Sequence, residues 1–142
     1  MSFMKISAMR LTYFLLVIIF LTTIQLDAQD IRDQNGLRKG TVEKDGTIRD
    51  KNGLREGMFE QDGTIRDQHG LRTGKIEEDG TIRDKNGLRM GEVEEDGTVR
   101  DKNGLRLGKI EDDGTVRDKN GLRTGSAEGV DKKKAAVIFF FK

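Results

Sequence analysis

Cysteine, proline and tryptophan are absent from the 142 residues, and histidine and tyrosine occur once each. Without cysteine there can be no disulfide framework, thiol nucleophile or cysteine-based zinc site. With one histidine, acid–base chemistry near neutral pH would fall to carboxylates with strongly displaced pKa values. No enzyme is expected, and no catalytic residue, cofactor-binding residue or metal ligand is assigned. Charge of one sign is also missing. Removing residues 1–28 takes Lys5 and Arg10 from the 26 basic residues and Asp27 from the 25 acidic ones, leaving 24 of each. A neutral chain lacks the positive surplus that marks nucleic-acid binding.

One apolar run is present at the front. Lys5 and Arg10 precede Leu11 to Leu26, and Asp27-Ala28-Gln29 follows, a pattern that reads as a secretory signal peptide over 1–28. The alternative is an uncleaved anchor, because the run is only slightly short of the about 20 residues a spanning helix needs. Cleavage leaves a chain exported to the periplasm or the exterior of a Gram-negative cell, with no membrane span.

From Ile31 the sequence repeats with a step of 17 along Ile31, Ile48, Ile65, Ile82, Val99 and Val116. The consensus is [IV]-R-D-x-N-G-L-R-x-G-x-[IVF]-E-x-D-G-T, in five full units over 31–115 and a sixth ending at Gly125. Each unit carries Asn-Gly and Asp-Gly flanked by β-branched residues or leucine, the strongest short-range hairpin signal, whereas glycine every few residues opposes helix. Three-residue loops are preferred at both signals. The loop Glu78-Asp79-Gly80, with a left-handed glycine, pairs Ile76 with Ile82 on one face, and Lys85-Asn86-Gly87 pairs Asp84 with Leu88. The odd step from Leu88 to Val93 requires a bulge, and Gly91 and its equivalents sit in that gap. The expected apolar face has three columns: Val42, Phe59, Ile76, Val93 and Ile110; Ile31, Ile48, Ile65, Ile82, Val99 and Val116; and Leu37, Leu54, Leu71, Leu88, Leu105 and Leu122.

Hairpins this short must stack or close to bury one face. The expected fold is all-β, a closed five-fold pseudo-symmetric ring of hairpin repeats over 29–125 in which the partial unit completes the first; an open β-solenoid is the alternative. Closure removes the exposed sheet edges that invite aggregation. The segment 126–142 ends in Lys132-Lys133-Lys134 and the run Ala135 to Phe141. It is too short to span a bilayer as a helix, and it holds the clustered aromatics the aliphatic columns lack, so it is expected to pack inside the ring. The rival reading makes it a membrane or partner anchor led by the lysines.

The D-G-T-[IV]-R-D-x-N-G and G-x-[IV]-E segments, Gly125 to Val130 and the AAVIFFF tail resemble the exported bacterial five-fold β-flower proteins, common in Bacteroidota. The resemblance covers the mature chain. It implies a five-petalled all-β ring with a C-terminal strand near its axis and transfers no functional residue. The lysines at 132–134 depart from relatives that often carry an aromatic there.

Four features invite a functional reading. Asp-x-Asn-Gly (Asp50, Asn52, Gly53; Asp84, Asn86, Gly87) resembles part of a calcium loop, but isoleucine or valine stands two positions before the aspartate and turn chemistry explains Asn-Gly. Two arginine columns, Arg32 to Arg117 and Arg38 to Arg123, place Arg83 across from Arg89, a like-charge pair that needs a neutralising partner. The glutamate column Glu43, Glu60, Glu77, Glu94 and Glu111 supplies one internally, and an anionic ligand such as an envelope polysaccharide is the alternative. Thr47, Thr64, Thr81, Thr98 and Thr115 form a regular ladder of the kind ice-binding faces use, although charged neighbours argue against that role. His69 takes the asparagine place of one turn. The resulting expectation is an exported, non-catalytic structural or binding domain, whose partner is an envelope polysaccharide or another envelope protein. A calcium-binding repeat and, further off, a carboxylate enzyme acting on envelope glycans are the alternatives.

Overall fold

The computed structural model describes residues 28–142, so the leader reading lies, apart from Ala28, outside the described residues. Twelve short strands follow one another: β1 (Gln29–Asp33), β2 (Arg38–Val42), β3 (Thr47–Asp50), β4 (Arg55–Phe59), β5 (Thr64–Asp67), β6 (Arg72–Ile76), β7 (Thr81–Asp84), β8 (Arg89–Val93), β9 (Thr98–Asp101), β10 (Arg106–Ile110), β11 (Thr115–Asp118) and β12 (Arg123–Ser126). Each pairs antiparallel with its neighbours, and β12 closes on β1 through Arg32 with Ser126 and Asp33 with Gly125. The ring is closed, not a solenoid. The partial sixth unit supplies β11 and β12, so five full units and the partial one make six hairpins.

Both loops have three residues. At the Asp-Gly turn the Glu77 N–H donates to the Thr81 carbonyl at 2.9 Å and Gly80 donates to Glu77 at 3.1 Å; at the Asn-Gly turn Asp84 donates to Leu88 at 2.9 Å and Gly87 to Asp84 at 3.0 Å. Gly80 and Gly87 have φ of +93° and +81°, a left-handed conformation that side-chain-bearing residues resist. Ile76 faces Ile82, and Arg83 faces Arg89. The register shifts between Ile82 and Arg83, where β8 carries Met90 as an extra residue. The inward glycine beside this bulge is required by close approach, since a β-carbon at Gly91 would collide with the Arg100 carbonyl oxygen.

Two of the three expected columns form the core. Val42, Phe59, Ile76, Val93 and Ile110 are buried, as are Ile31, Ile48, Ile82, Val99 and Val116. Ala127 takes the sixth place of the first column, fully buried, and its N–H donates to Gly114 as Ile110 donates to Gly97. The repeat geometry therefore runs two residues past Gly125. The third column is a correction, because the six leucines, Leu37 to Leu122, are 65–66% exposed. Leucine follows the left-handed glycine of each Asn-Gly turn, at the rim beyond the last core layer. Nothing stands there for it to pack against.

The C-terminal segment is also a correction: Lys132–Phe140 is a helix, α1, and not a strand. In a closed ring no strand edge is free, so an extended tail in the lumen would strand its N–H and C=O groups, whereas a helix satisfies them internally. Asp131 caps it, accepting from Lys133 N–H at 3.0 Å and Lys134 N–H at 3.3 Å. Ala135, Ala136 and Val137 are buried in one cluster with the strand residues, and Ile138 to Phe141 pack against it. Nine helical residues rise about 13.5 Å, matching strands of four or five residues at about 3.3 Å each. The helix thus runs the height of the wall, from the Asp-Gly end, where Lys132 meets Asp112, to the Asn-Gly end, where Lys142 meets Glu56.

Candidate functional site

Alternating turn chemistry makes the two ends of the barrel electrically different. Consecutive antiparallel strands put all six turns of the Asn-Gly type, one of them His69-Gly70, at one end and all five Asp-Gly turns at the other. From aspartate to arginine the six Asn-Gly turns hold ten lysines and arginines against six aspartates, while the five Asp-Gly turns, glutamate to glycine, hold thirteen carboxylates against Lys44 alone. The basic end also carries the six exposed leucines. Overall neutrality conceals this dipole.

The six aspartates of the basic end are engaged in their own turns. Oδ1 of Asp84 accepts from the N–H of Asn86 at 2.8 Å and of Leu88 at 3.0 Å, and the other five repeat that pattern. Asp-x-Asn-Gly is thereby a turn device, and among the described residues no three His, Cys, Asp or Glu side chains converge as metal ligands. His69 is exposed, its N–H donating to Asp67 at 2.8 Å.

The two arginine columns behave differently. Arg83 Nε donates to Glu77 at 2.8 Å and its Nη1 to the Gly87 carbonyl at 3.1 Å, so one side chain straps the outside of the wall from the acidic turn to the basic turn. Arg49, Arg66, Arg100 and Arg117 do the same, and the glutamate hydrogen bond holds the guanidinium groups of Arg49, Arg66, Arg83 and Arg100 above their ordinary pKa. Arg32 uses Asp30 instead, at 2.7 Å. In the second column Arg38 pairs with Asp30 and Arg89 with Glu92, but Arg55, Arg72, Arg106 and Arg123 make no ion pair among the described residues. All six second-column arginines are exposed beside the leucines. The threonine column is no exposed ladder, since Thr47, Thr64 and Thr98 are buried.

The acidic turns are tuned in one direction. Backbone and side-chain hydrogen bonds from the threonine two residues on hold Asp45, Asp62, Asp79, Asp96 and Asp113 below the usual carboxylate range. The Lys132 ammonium does the same to Asp112. A general acid needs the opposite displacement. The three lysines that open α1 also belong to this end: Lys132 pairs with Asp112, Lys133 Nζ donates to the Glu78 carbonyl at 2.6 Å, and Lys134 Nζ stands 5.9 Å from the centre of the Phe59 ring.

With ring, bulged hairpins and tail in view, a comparison with protein families bears on the chain: the model of the 5-fold beta-flower protein family matches residues 28–142. The chain belongs to that family. No curated protein and no solved structure matches it. In this beta-flower ring the match covers the wall and the helix together, so the tail is part of the family's own unit.

One further position escaped the sequence reading. The extra residue of each bulge is Lys39, Glu56, Thr73, Met90, Leu107 or Thr124. Met90 and Leu107 pack against the core, whereas Lys39, Glu56 and Thr73 are exposed at cavities that open at the basic end of the beta-flower. The signal available was the variability of this place between otherwise constant Arg and Gly.

Proposed function

We propose that this beta-flower protein is an exported, non-catalytic binding domain that attaches to an anionic lipid surface through its basic, leucine-studded end. The observation that carries this reading is the segregation of charge, with ten cations against six aspartates beside six exposed leucines at one rim and thirteen carboxylates against one lysine at the other. Cations near an anionic bilayer contribute about 1 kcal/mol each, and leucines on the same plane add apolar contact with the acyl boundary. A polysaccharide would use the arginines and leave the leucines in water. The leader 1–28 supports export. Strands of four or five residues are short of the about 9–11 a membrane barrel needs, and the outer wall carries Arg, Glu and Lys, so attachment is peripheral.

Co-sedimentation with vesicles tests this. The chain should pellet with phosphatidylglycerol vesicles at low salt, stay in solution with phosphatidylcholine vesicles, and bind at least about tenfold more weakly when Leu71 and Leu88 are both replaced by serine. Equal binding to both lipids, or retention on a sulfated polysaccharide matrix without vesicle binding, would overturn the lipid assignment.

A further inference from the structure

The lumen is built sixfold and filled on one side. An inward glycine follows every bulge: Gly40, Gly57, Gly74, Gly91, Gly108 and Gly125. Three of these stations are occupied by the tail. A β-carbon at Gly91 would lie 2.7 Å from the Phe141 ring, at Gly108 2.6 Å from Phe140, and at Gly125 2.7 Å from Phe139. At Gly40, Gly57 and Gly74 the three atoms nearest such a β-carbon all belong to the wall. Cavities of about 460 Å³ (Gly57, Gly74) and 300 Å³ (Gly40) lie there instead.

A second observation points to the same side. Ile65 is the one member of its column left half-buried, while Ile31, Ile48, Ile82, Val99 and Val116 are at most 4% exposed. It lines the larger cavity with Ile48, Ile82, Met90, Val137 and Phe141. The third is the chemistry of the bulge residues, which are Met90, Leu107 and the half-buried Thr124 before the filled stations and the exposed Lys39, Glu56 and Thr73 before the open ones.

We propose that the open half of the lumen binds a single-chain amphiphile, its aliphatic chain against Ile48, Ile65, Ile82 and Val137 and its anionic head at Lys85 and Lys142. The occupied stations show what an inward glycine takes, namely an apolar group laid flat on the backbone. The larger cavity is about three times the roughly 150 Å³ that accommodates benzene in an engineered apolar site, which suits a chain better than a compact ring. At its mouth Glu56 is paired with Lys142 at 3.1 Å, and Oδ1 of Asp67 and of Asp84 each accepts from two turn N–H groups. Lys85 Nζ makes no ion pair among the described residues, and Lys142 can exchange its partner.

The chain without residues 1–27 has two methionines, Met90 in the cavity and Met58 on the outer wall beside Arg55. With ¹³C-methyl methionine, titration by dodecanoate below its micellar concentration should shift Met90 saturably at one ligand per chain and leave Met58 in place. Ile65→Phe, which extends a side chain into the cavity, should weaken binding about tenfold or more; Thr73→Leu, at the mouth, should also weaken it, with Met58 reporting an intact fold in both. Dodecanol should bind about tenfold more weakly than dodecanoate. An unmoved Met90, a Met58 that shifts in step with it, unchanged affinity in both variants, or equal binding of the alcohol would overturn the proposal. The L71S/L88S chain should bind dodecanoate normally, which separates this site from attachment at the rim.

Discussion

Gly91 and Phe141 share one place: the β-carbon the glycine lacks would stand 2.7 Å from Cζ of the ring. Because the wall is short and its other inward residues are Ile, Val and Phe, the tail can seat its rings only where the wall has no side chain. Gly91→Ala should lower stability by about 1–3 kcal/mol through overpacking, measured by urea unfolding. Removal of 135–142 should be far more damaging, since it empties the lumen of Ala135, Ala136, Val137 and the aromatic cluster. A truncated chain that melted at the parent temperature would refute the packing account.

The two aliphatic positions of each hairpin should respond in opposite ways. Ile82 is 1% exposed and Leu88 65% exposed, although both are apolar and six residues apart. Ile82→Ala should cost about 2–5 kcal/mol, whereas Leu88→Ser should stay within about 0.5 kcal/mol of the parent. Equal losses in chemical denaturation would mean the leucines are not at the surface.

Acid should weaken the ring through its Asp-Gly turns. Asp45, Asp62, Asp79, Asp96 and Asp113 have folded-state pKa values below the ordinary 3.8. A carboxyl depressed in the folded state contributes stability that is present above its unfolded pKa and disappears as pH falls through the folded value. Stability should therefore be level from neutrality to about pH 5, then decline as these aspartates protonate. Replacing all five by asparagine, which keeps an acceptor for the threonine N–H, should flatten that decline in a series of melting curves.

The lysines at 132–134 should act as a clamp on the acidic end. Lys132→Glu combined with Lys133→Glu places negative charge against Asp112 and the Glu78 turn, and next to a helix N-terminus crowded by carboxylates. The melting temperature should fall at low ionic strength and recover partly in molar salt, because screening at about 3 Å leaves only the closest contacts. An unaltered melting curve would show that these contacts add nothing.

What could be read from the residues followed from local turn chemistry. Left-handed glycines at Asp-Gly and Asn-Gly set three-residue loops, and those loops fix Ile76 opposite Ile82 and Arg83 opposite Arg89. Closure followed from the partial sixth unit. The exposure of Leu88 was hidden because alternation assigns a face and not a depth: the core layers end before the residue after Gly87. The helix was hidden because Val137 to Phe141 has strong β character, which loses once no edge remains to pair with it. The charged ends were hidden by the 17-residue period itself, which interleaves acidic and basic turns so that any window of the sequence looks balanced.

The seam between β1 and β12 joins residues more than ninety positions apart. Every other strand contact is between neighbours in the chain, so hairpins can form as the polypeptide lengthens, yet each growing array keeps two raw borders. Only when the last strand and the helix behind it are available does the circle shut. A chain halted anywhere before Ser126 is a sheet in search of a border. Near-identical hairpins on other copies would offer one, making clipped or stalled molecules natural seeds for mixed rings and aggregates.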